Sequence, residues 1–468
     1  LGNNFGIDIR SGTLRDWNEE LQSAREMPVT SLPERVERAR VIYKVLNDFG
    51  EAALLGVKAI CEGQIGPMNP NEPTRSQVYL HNNIFFSRAV DAGVETFKVA
   101  KGDRAARKSA SRDVHCLGVL HRMERINLYT LATVLVDYLG TRYVCQSILP
   151  GILSGEKTHT LLYGAVEAGS PLIWDKDMHE LLEDTLGKSL MIATRPLPRD
   201  PLSEGRMKEI EAARASLPFL IEKKEESKDS ENMGPTIEVC APIEAKGIRG
   251  SDQRRYVLDM TRLTPRDANW IPASKGGTGN WESMIKDDGK SEAIPKEIED
   301  DEWTLAVLRA ELITNYAQVL MARYLSEKKE KEATAASESA KDEKEKSETG
   351  DAAATEQKDE KQGENGEGST QKDDQKKPTL NEKDVEYLKS LRFNVNVFLP
   401  DIKSLEDIDP ALHEQIKKDE EMARNAAKFL WDEVLPRITR EIRDGSWHQV
   451  PHDGKGLTEF LHQHGVNC

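Results

Sequence analysis

Between Ser326 and Pro378 the chain contains no Val, Ile, Leu, Phe, Tyr, Trp or Met, and is mostly Lys, Glu, Asp, Ala, Gly, Ser, Thr and Gln. Such a stretch cannot bury enough apolar area to offset an ordering cost of about 1–2 kcal/mol per residue, so it is expected to be a solvated tether. Folding is therefore confined to the two sides of it. The 468 residues still allow two to four units at roughly 100–200 residues each. A net charge of -16 excludes generic attraction of the whole surface to nucleic acid or anionic lipid, so any such binding needs a local basic patch. The most apolar stretch, Ile126 to Leu139, is shorter than the roughly 18 residues a membrane span needs and carries Asp137. It is expected to be a buried helix, and no membrane insertion is expected. Cys61, Cys116, Cys145, Cys240 and Cys468 form no C-x-x-C pair, which suits a reducing, cytoplasmic setting. The chain starts at Leu1 without an initiator Met or a leader pattern, and we read it as part of a longer protein.

Periodicity predicts a short helix over Leu14 to Arg25 and a longer one after Pro33, with Ser31 as N-cap. Alternation over Gln77 to Val90 predicts one strand, with Val78, Leu80, Ile84 and Phe86 on its apolar face and Tyr79, His81, Asn83 and Phe85 on the other. A helical pattern follows from Asp103. Strands are predicted over Thr141 to Leu149, Leu161 to Val166, Ser189 to Thr194, Ile237 to Cys240 and Arg255 to Met260, with a polar helix over Asp177 to Leu186. Further helices are predicted over Glu302 to Leu325 and Leu412 to Ile442. Without a regular βαβ rhythm, the fold class is α+β.

No enzyme signature survives inspection. Lys275 to Asn280 has the glycines of a phosphate-cradling loop but lacks the Gly-Lys-Ser/Thr ending and a strand feeding it, so a flexible linker is the better reading. His448, His452, His462 and His464 have no metal-ligand spacing, and neither a metal nor a cofactor is implied. Asp259, at a strand end, has the position of a magnesium ligand in a phosphotransfer-like enzyme. No nucleotide loop accompanies it, however, and structural pairing of Asp259 and Arg262 is preferred.

The feature that stands against the overall acidity is a basic helix. Lys101, Arg104, Arg107, Lys108 and Arg112 cluster there, and Arg104, Lys108 and Arg112 recur every four residues, which predicts one cationic stripe. Phosphates of single-stranded RNA would give affinity on such a stripe, and bases could stack on nearby rings, Tyr79 and Phe85 among them. The competing reading is a solvated face or one that docks on an acidic surface of the same protein.

Several longer strings carry a resemblance. Arg15-Asp16-Trp17-Asn18-Glu19-Glu20, Tyr79-Leu80-His81-Asn82-Asn83-Ile84-Phe85-Phe86-Ser87, Lys108-Ser109-Ala110-Ser111-Arg112-Asp113 and Gly247-Ile248-Arg249-Gly250-Ser251-Asp252 through Tyr256-Val257-Leu258-Asp259 resemble the Clu domain of the clustered mitochondria protein family. Leu308-Arg309-Ala310-Glu311-Leu312, Arg392-Phe393-Asn394 and Gly456 through Asn467 resemble the adjoining segment, named for association with eukaryotic translation initiation factor 3. Val395-Asn396 departs from the Pro-Asp expected after Asn394.

The resemblance implies a Clu domain over 1-273, within which composition marks a charged insertion at 222-233, and composition also marks a Gly-rich linker at 274-289. A helical segment at 290-325, the charged linker at 326-378 and a helical continuation at 379-468 complete the division. It also implies a noncatalytic, cytoplasmic protein that binds messenger RNAs for mitochondrial proteins, supports their translation and keeps mitochondria distributed. Its expected partners are mRNA, the translation initiation factor 3 complex and ribosome-associated proteins, with self-association open. The alternative is a protein-interaction platform whose RNA is held elsewhere.

Overall fold

Ser31 and Glu34 cap each other reciprocally at the start of a 30-residue helix, α2 (Leu32–Cys61), with Pro33 in its first turn. The computed structural model containing it describes residues 14–91, 102–153, 160–165, 170–215, 235–280, 305–347, 381–399, 410–446, 451 and 453–467. These residues divide into two units, 1–313 with 392–468, and 314–391.

In the first unit α2 packs beside α1 (Trp17–Arg25) and over a four-stranded antiparallel sheet of order β1-β2-β4-β3. The strands are β1 (Tyr79–His81), β2 (Ile84–Arg88), β3 (Thr133–Tyr138) and β4 (Thr141–Ser147), and α3 (Asp103–Met123) lies between β2 and β3 in sequence. The core joins Trp17, Phe49, Val57, Ile84, Phe86 and Tyr143, with Trp17 and Phe49 edge to face at 5.6 Å. Gly56 permits the close approach of α2, because a Cβ there would come within 2.4 Å of the Phe86 ring.

Two differences from the sequence reading arise here. The stretch Gln77 to Val90 is a hairpin rather than one strand: Asn82 and Asn83 both take positive φ, 50° and 57°, as a two-residue turn of the primed kind requires. The pairs Tyr79↔Phe86 and His81↔Ile84 then place Tyr79 on the buried face, while Leu80 and Phe85 share the other. Likewise Ile126 to Leu139 is no helix. Asn127 (φ 68°) turns the chain, and β-branched Thr133, Val134 and Val136 enter strand β3, which the Leu139-Gly140 turn joins to β4.

A second core is built on β5 (Thr160–Tyr163), β8 (Lys246–Arg249) and β9 (Arg255–Leu258), and on the pair β6 (Arg195–Pro198) with β7 (Thr236–Val239). The helix α4 (Lys176–Leu182) ends in a π turn, and α5 (Glu204–Ala215) follows β6. Ser189 to Thr194 is not a strand. Met191 takes φ 58° and Ile192 makes only an isolated bridge to Phe393.

Lys275 to Asn280 is a packed turn, not a free linker. The Thr278 amide donates to Ala268 O at 2.9 Å, Arg424 donates to Gly276 O at 3.0 Å, and a Cβ on Gly277 would lie 1.8 Å from Ile271 O. The remainder of the 274-289 segment and the insertion at 222-233 lie outside the described residues. The first unit is completed by α8 (Pro410–Phe429), α9 (Leu435–Arg443) and α10 (Gly454–Gln463).

The second unit is formed by α6 (Ala310–Ser347), from Thr314 onward, and α7 (Glu382–Ser390). Tyr324 stacks on Tyr387 at 4.1 Å, and Lys328 pairs with Asp384 at 2.8 Å. Here α6 runs about 20 residues into the segment read as a tether. Ala, Glu and Lys lack core-forming area but have high intrinsic helix propensity. Residues 348–380 lie outside the described ones.

Candidate nucleic-acid interface

Both ends of α3 are anchored by carboxylates. The Gly102 amide donates to Asp91 Oδ2 at 2.9 Å, and Asp103 pairs with Arg75 at 2.5 Å. At the far end Glu124 takes a left-handed conformation (φ 49°) and pairs with Arg38 at 2.6 Å. Ala105, Cys116, Leu117 and Leu120 are its buried face.

The expected stripe splits along this helix. Arg104, Arg107 and Lys108 are exposed, whereas Arg112 is half-buried. Each four-residue step advances about 400° around an α-helix, so the series drifts by about 40° per step and Arg112 arrives on the side of Ala105 and Cys116. Burial pulls its guanidinium below the ordinary range, and nearby Arg309 adds to the effect. Lys101 lies outside the described residues.

The two aromatic candidates also separate. Tyr79 is 5% exposed, on the sheet face covered by α2, and offers no ring face to a base. Phe85 is half-buried on the opposite face, the one from which Arg142 reaches α3 to donate to Ser111 Oγ at 2.6 Å. The geometry thus keeps Arg104, Arg107, Lys108 and Phe85 as candidates on that side.

Sequence reasoning missed Arg142. It pairs with Asp137 at 2.6 Å across the β3–β4 hairpin and accompanies Arg107, which donates to Gly140 O at 3.2 Å. The cross-strand pair Asp137↔Arg142 around Leu139-Gly140 was the available signal.

Asp113, on the inner side of the same helix, was also missed. Burial, together with the neighbouring Asp259 charge, pushes its carboxyl up to about 7, opposed by the Met260 amide. Its Oδ1 is buried with no hydrogen-bond partner. Asp259 (φ 56°) pairs with Lys246 at 2.7 Å, and Arg262 pairs with Glu244 at 3.0 Å. Both are therefore structurally engaged, as the sequence favoured, and no group of three or more metal-ligating side chains occurs among the described residues.

The strings that carried the resemblance meet one another in space. Asn18 donates to Tyr256 Oη at 2.7 Å, and Tyr256 Oη donates to Asp252 at 2.7 Å. Arg254 joins Glu19 at 2.5 Å and Glu26 at 2.9 Å. The Trp17 indole donates to Asn82 O at 2.8 Å, tying α1 to the β1–β2 turn. Asn394 donates to Asp419, which also pairs with Arg195 at 2.8 Å. Asn396 donates to Ala241 O at 2.9 Å and accepts from the Ile243 amide at 3.0 Å. An ionised Asp at that place could not donate the first of these bonds. A Cβ on Gly465 would lie 2.5 Å from Leu312 Cβ, and Asn467 donates to Val307 O at 2.8 Å.

An α+β protein held together by side-chain ties between distant strings is the class these observations define. A family model described as Clustered mitochondria matches residues 16–270, over half of the chain. The chain belongs to the Clustered mitochondria family.

Among curated proteins it is similar to a Clustered mitochondria protein homolog of Phaeosphaeria nodorum, 34% identical over 463 residues, 97% of this chain and 31% of that protein. The Clustered mitochondria protein of Arabidopsis thaliana is 32% identical over 507 residues, 97% of this chain and 30% of that one. A homolog of Dictyostelium discoideum is 32% identical over 461 residues, 98% and 30% of the respective chains. The chain thus spans under a third of the length of these relatives. No solved structure matches. Among the described residues, no helix is long and apolar enough to cross a membrane.

Proposed function

We propose that this chain is a noncatalytic, cytoplasmic mRNA-binding and scaffolding unit, serving the mitochondrial distribution to which its relatives' name points. The observation that carries the RNA reading is the exposure of Arg104, Arg107 and Lys108 on one side of α3 in a chain of net charge -16. Three phosphate contacts on single-stranded RNA would make affinity fall by about two powers of ten per tenfold rise in salt. Half-buried Phe85 is the stacking candidate on that side. Charge reversal of Arg104, Arg107 and Lys108 to Glu is expected to reduce crosslinking to mitochondrial messages sharply. Unchanged crosslinking would remove this surface from consideration.

A second reading, a protein-interaction platform for the translation initiation factor 3 complex with RNA held elsewhere, is favoured by the burial of Tyr79, which leaves few stacking rings beside the cations. Nuclease-treated pulldowns separate the two readings. Retention of initiation-factor partners by a chain without salt-sensitive RNA affinity would select the second.

A further inference from the structure

The long helix α2 carries apolar residues beyond the side it buries. Val45, Phe49, Ala53 and Val57 enter the core against the sheet and Trp17. About a third of a turn around the helix from that side, Leu32, Val36, Tyr43 and Leu54 are 65%, 49%, 73% and 38% exposed. At 100° per residue these four, with Ala39 and Gly50 between them, fall within about 60° of arc and form a stripe about 33 Å long. Opposite the core the helix is polar, with Arg40, Lys44, Asn47 and Glu51, so large apolar side chains left exposed between the two sides over six turns call for a covering element.

Two further observations describe the cover. Ala39 and Gly50 are low points on either side of the projecting Tyr43, and a Cβ placed on Gly50 meets nothing within 4 Å. Such alternation of knob and hollow is what a packed helix interdigitates with. The first three turns of the stripe are also flanked by cations, Arg35 on one side and Arg40 and Lys44 on the other. Glu37, 3.7 Å from Arg40, is the acid beside them. Phosphate-rich RNA would match the charge but not an aliphatic stripe.

We infer that the solvent face of α2 docks one amphipathic helix with acidic flanks, supplied by a protein partner. Apolar side chains of that helix would seat around Tyr43 and its carboxylates would face Arg35, Arg40 and Lys44, the helix-in-groove mode of recognition. The inference is independent of α3 and of RNA binding.

The test titrates a fluorescent synthetic helix, Leu at heptad spacing with Glu flanks, with the intact chain, beside an otherwise identical peptide with Lys flanks. Saturable binding of the Glu-flanked peptide is expected, at least about tenfold tighter than that of the Lys-flanked one. The pair Val36→Glu with Tyr43→Glu should weaken it by about tenfold or more, and Arg40→Ala with Lys44→Ala by about three- to tenfold. All four side chains lie on the outer face, so unchanged melting curves keep the comparison about binding.

Equal affinity for the two peptides, no binding, or indifference to both variant pairs would overturn the inference. It would also fall if the stripe variants instead abolished a dimer in sedimentation, binding to phosphatidylserine vesicles, or binding to oligouridine, since the occupant would then be a second copy, a membrane or RNA.

Discussion

Arginine serves two opposite purposes in this molecule, and the contrast is between the outer side of α3 and the junctions beneath it. On α3, Arg104 and Arg107 are exposed, the Arg107 side chain donating to Gly140 O. At the junctions Arg254 binds Glu19, Glu26 and Asp252, while Arg262 binds Glu244, Asn396 and Val395 O. Local sequence does not tell these sets apart, because both lie in arginine-rich strings. The partners that hold the junction arginines include ones from far along the chain: Glu19 is 235 residues from Arg254, and Asn396 is 134 from Arg262. A dense basic string is therefore a candidate surface only where the fold leaves its side chains exposed, as it does on α3.

The contrast would break first at Arg262. Its Ala variant leaves buried Glu244 without its nearest cation and is expected to destabilise the first unit by about 3–5 kcal/mol, measured by the urea midpoint. A loss under about 1 kcal/mol would mean that the buried set is as dispensable as the exposed one.

Asp113 sharpens the comparison on α3 itself. Its folded carboxyl titrates near 7, above the ordinary value of 3.8, so its ionisation opposes folding. Relative to Asp113→Asn, the wild-type stability is highest below about pH 4 and is lost as pH rises through 7. The Asn variant should exceed the wild type by on the order of 2–4 kcal/mol at pH 8, with no gain at pH 4. Parallel denaturation curves across that window would show that the proton is not held as described.

Arg254→Ala should cost about 1–2 kcal/mol, because its partners Glu19 and Glu26 are half open to water and screening discounts the pairs. A double-mutant cycle with Glu19→Ala should return a coupling of about 0.5–1 kcal/mol. Smallest is the effect on stability of reversing Arg104, Arg107 and Lys108, within about 0.5 kcal/mol, even as message crosslinking falls. A large destabilisation would place those cations with the junction set.

Much of the fold is legible along the chain because its signals are local. The Ser31 cap, the breaks around Gly140 and Gly250, and the strands near Thr141, Thr236 and Arg255 rest on neighbours within a few residues. The hairpin at Asn82-Asn83 is legible too, as two residues that tolerate positive φ in the middle of an alternating run, but alternation alone predicts one strand and exchanges its faces. Alternation thus assigns Tyr79 to the surface, where the hairpin pairing puts it in the core. Ile126 to Leu139 differs from its expectation for another reason: a short apolar run has no period that separates a buried helix from a buried strand, and pairing with β4 decides it. Of the candidate site, the cations were legible, while the burial of Arg112 lay in a drift that four-residue spacing conceals.

The sequence by itself determined that an acidic, α+β chain carries one basic helix and a long segment without core-forming residues, since composition and short-range periodicity are properties of neighbours. Only tertiary structure decided that Arg112 turns inward, that Tyr79 is core, and that strings as distant as those of Asn18 and Tyr256 tie to one another. Those outcomes depend on which distant carboxylate, carbonyl or sheet face arrives beside a side chain, and long-range packing alone supplies that.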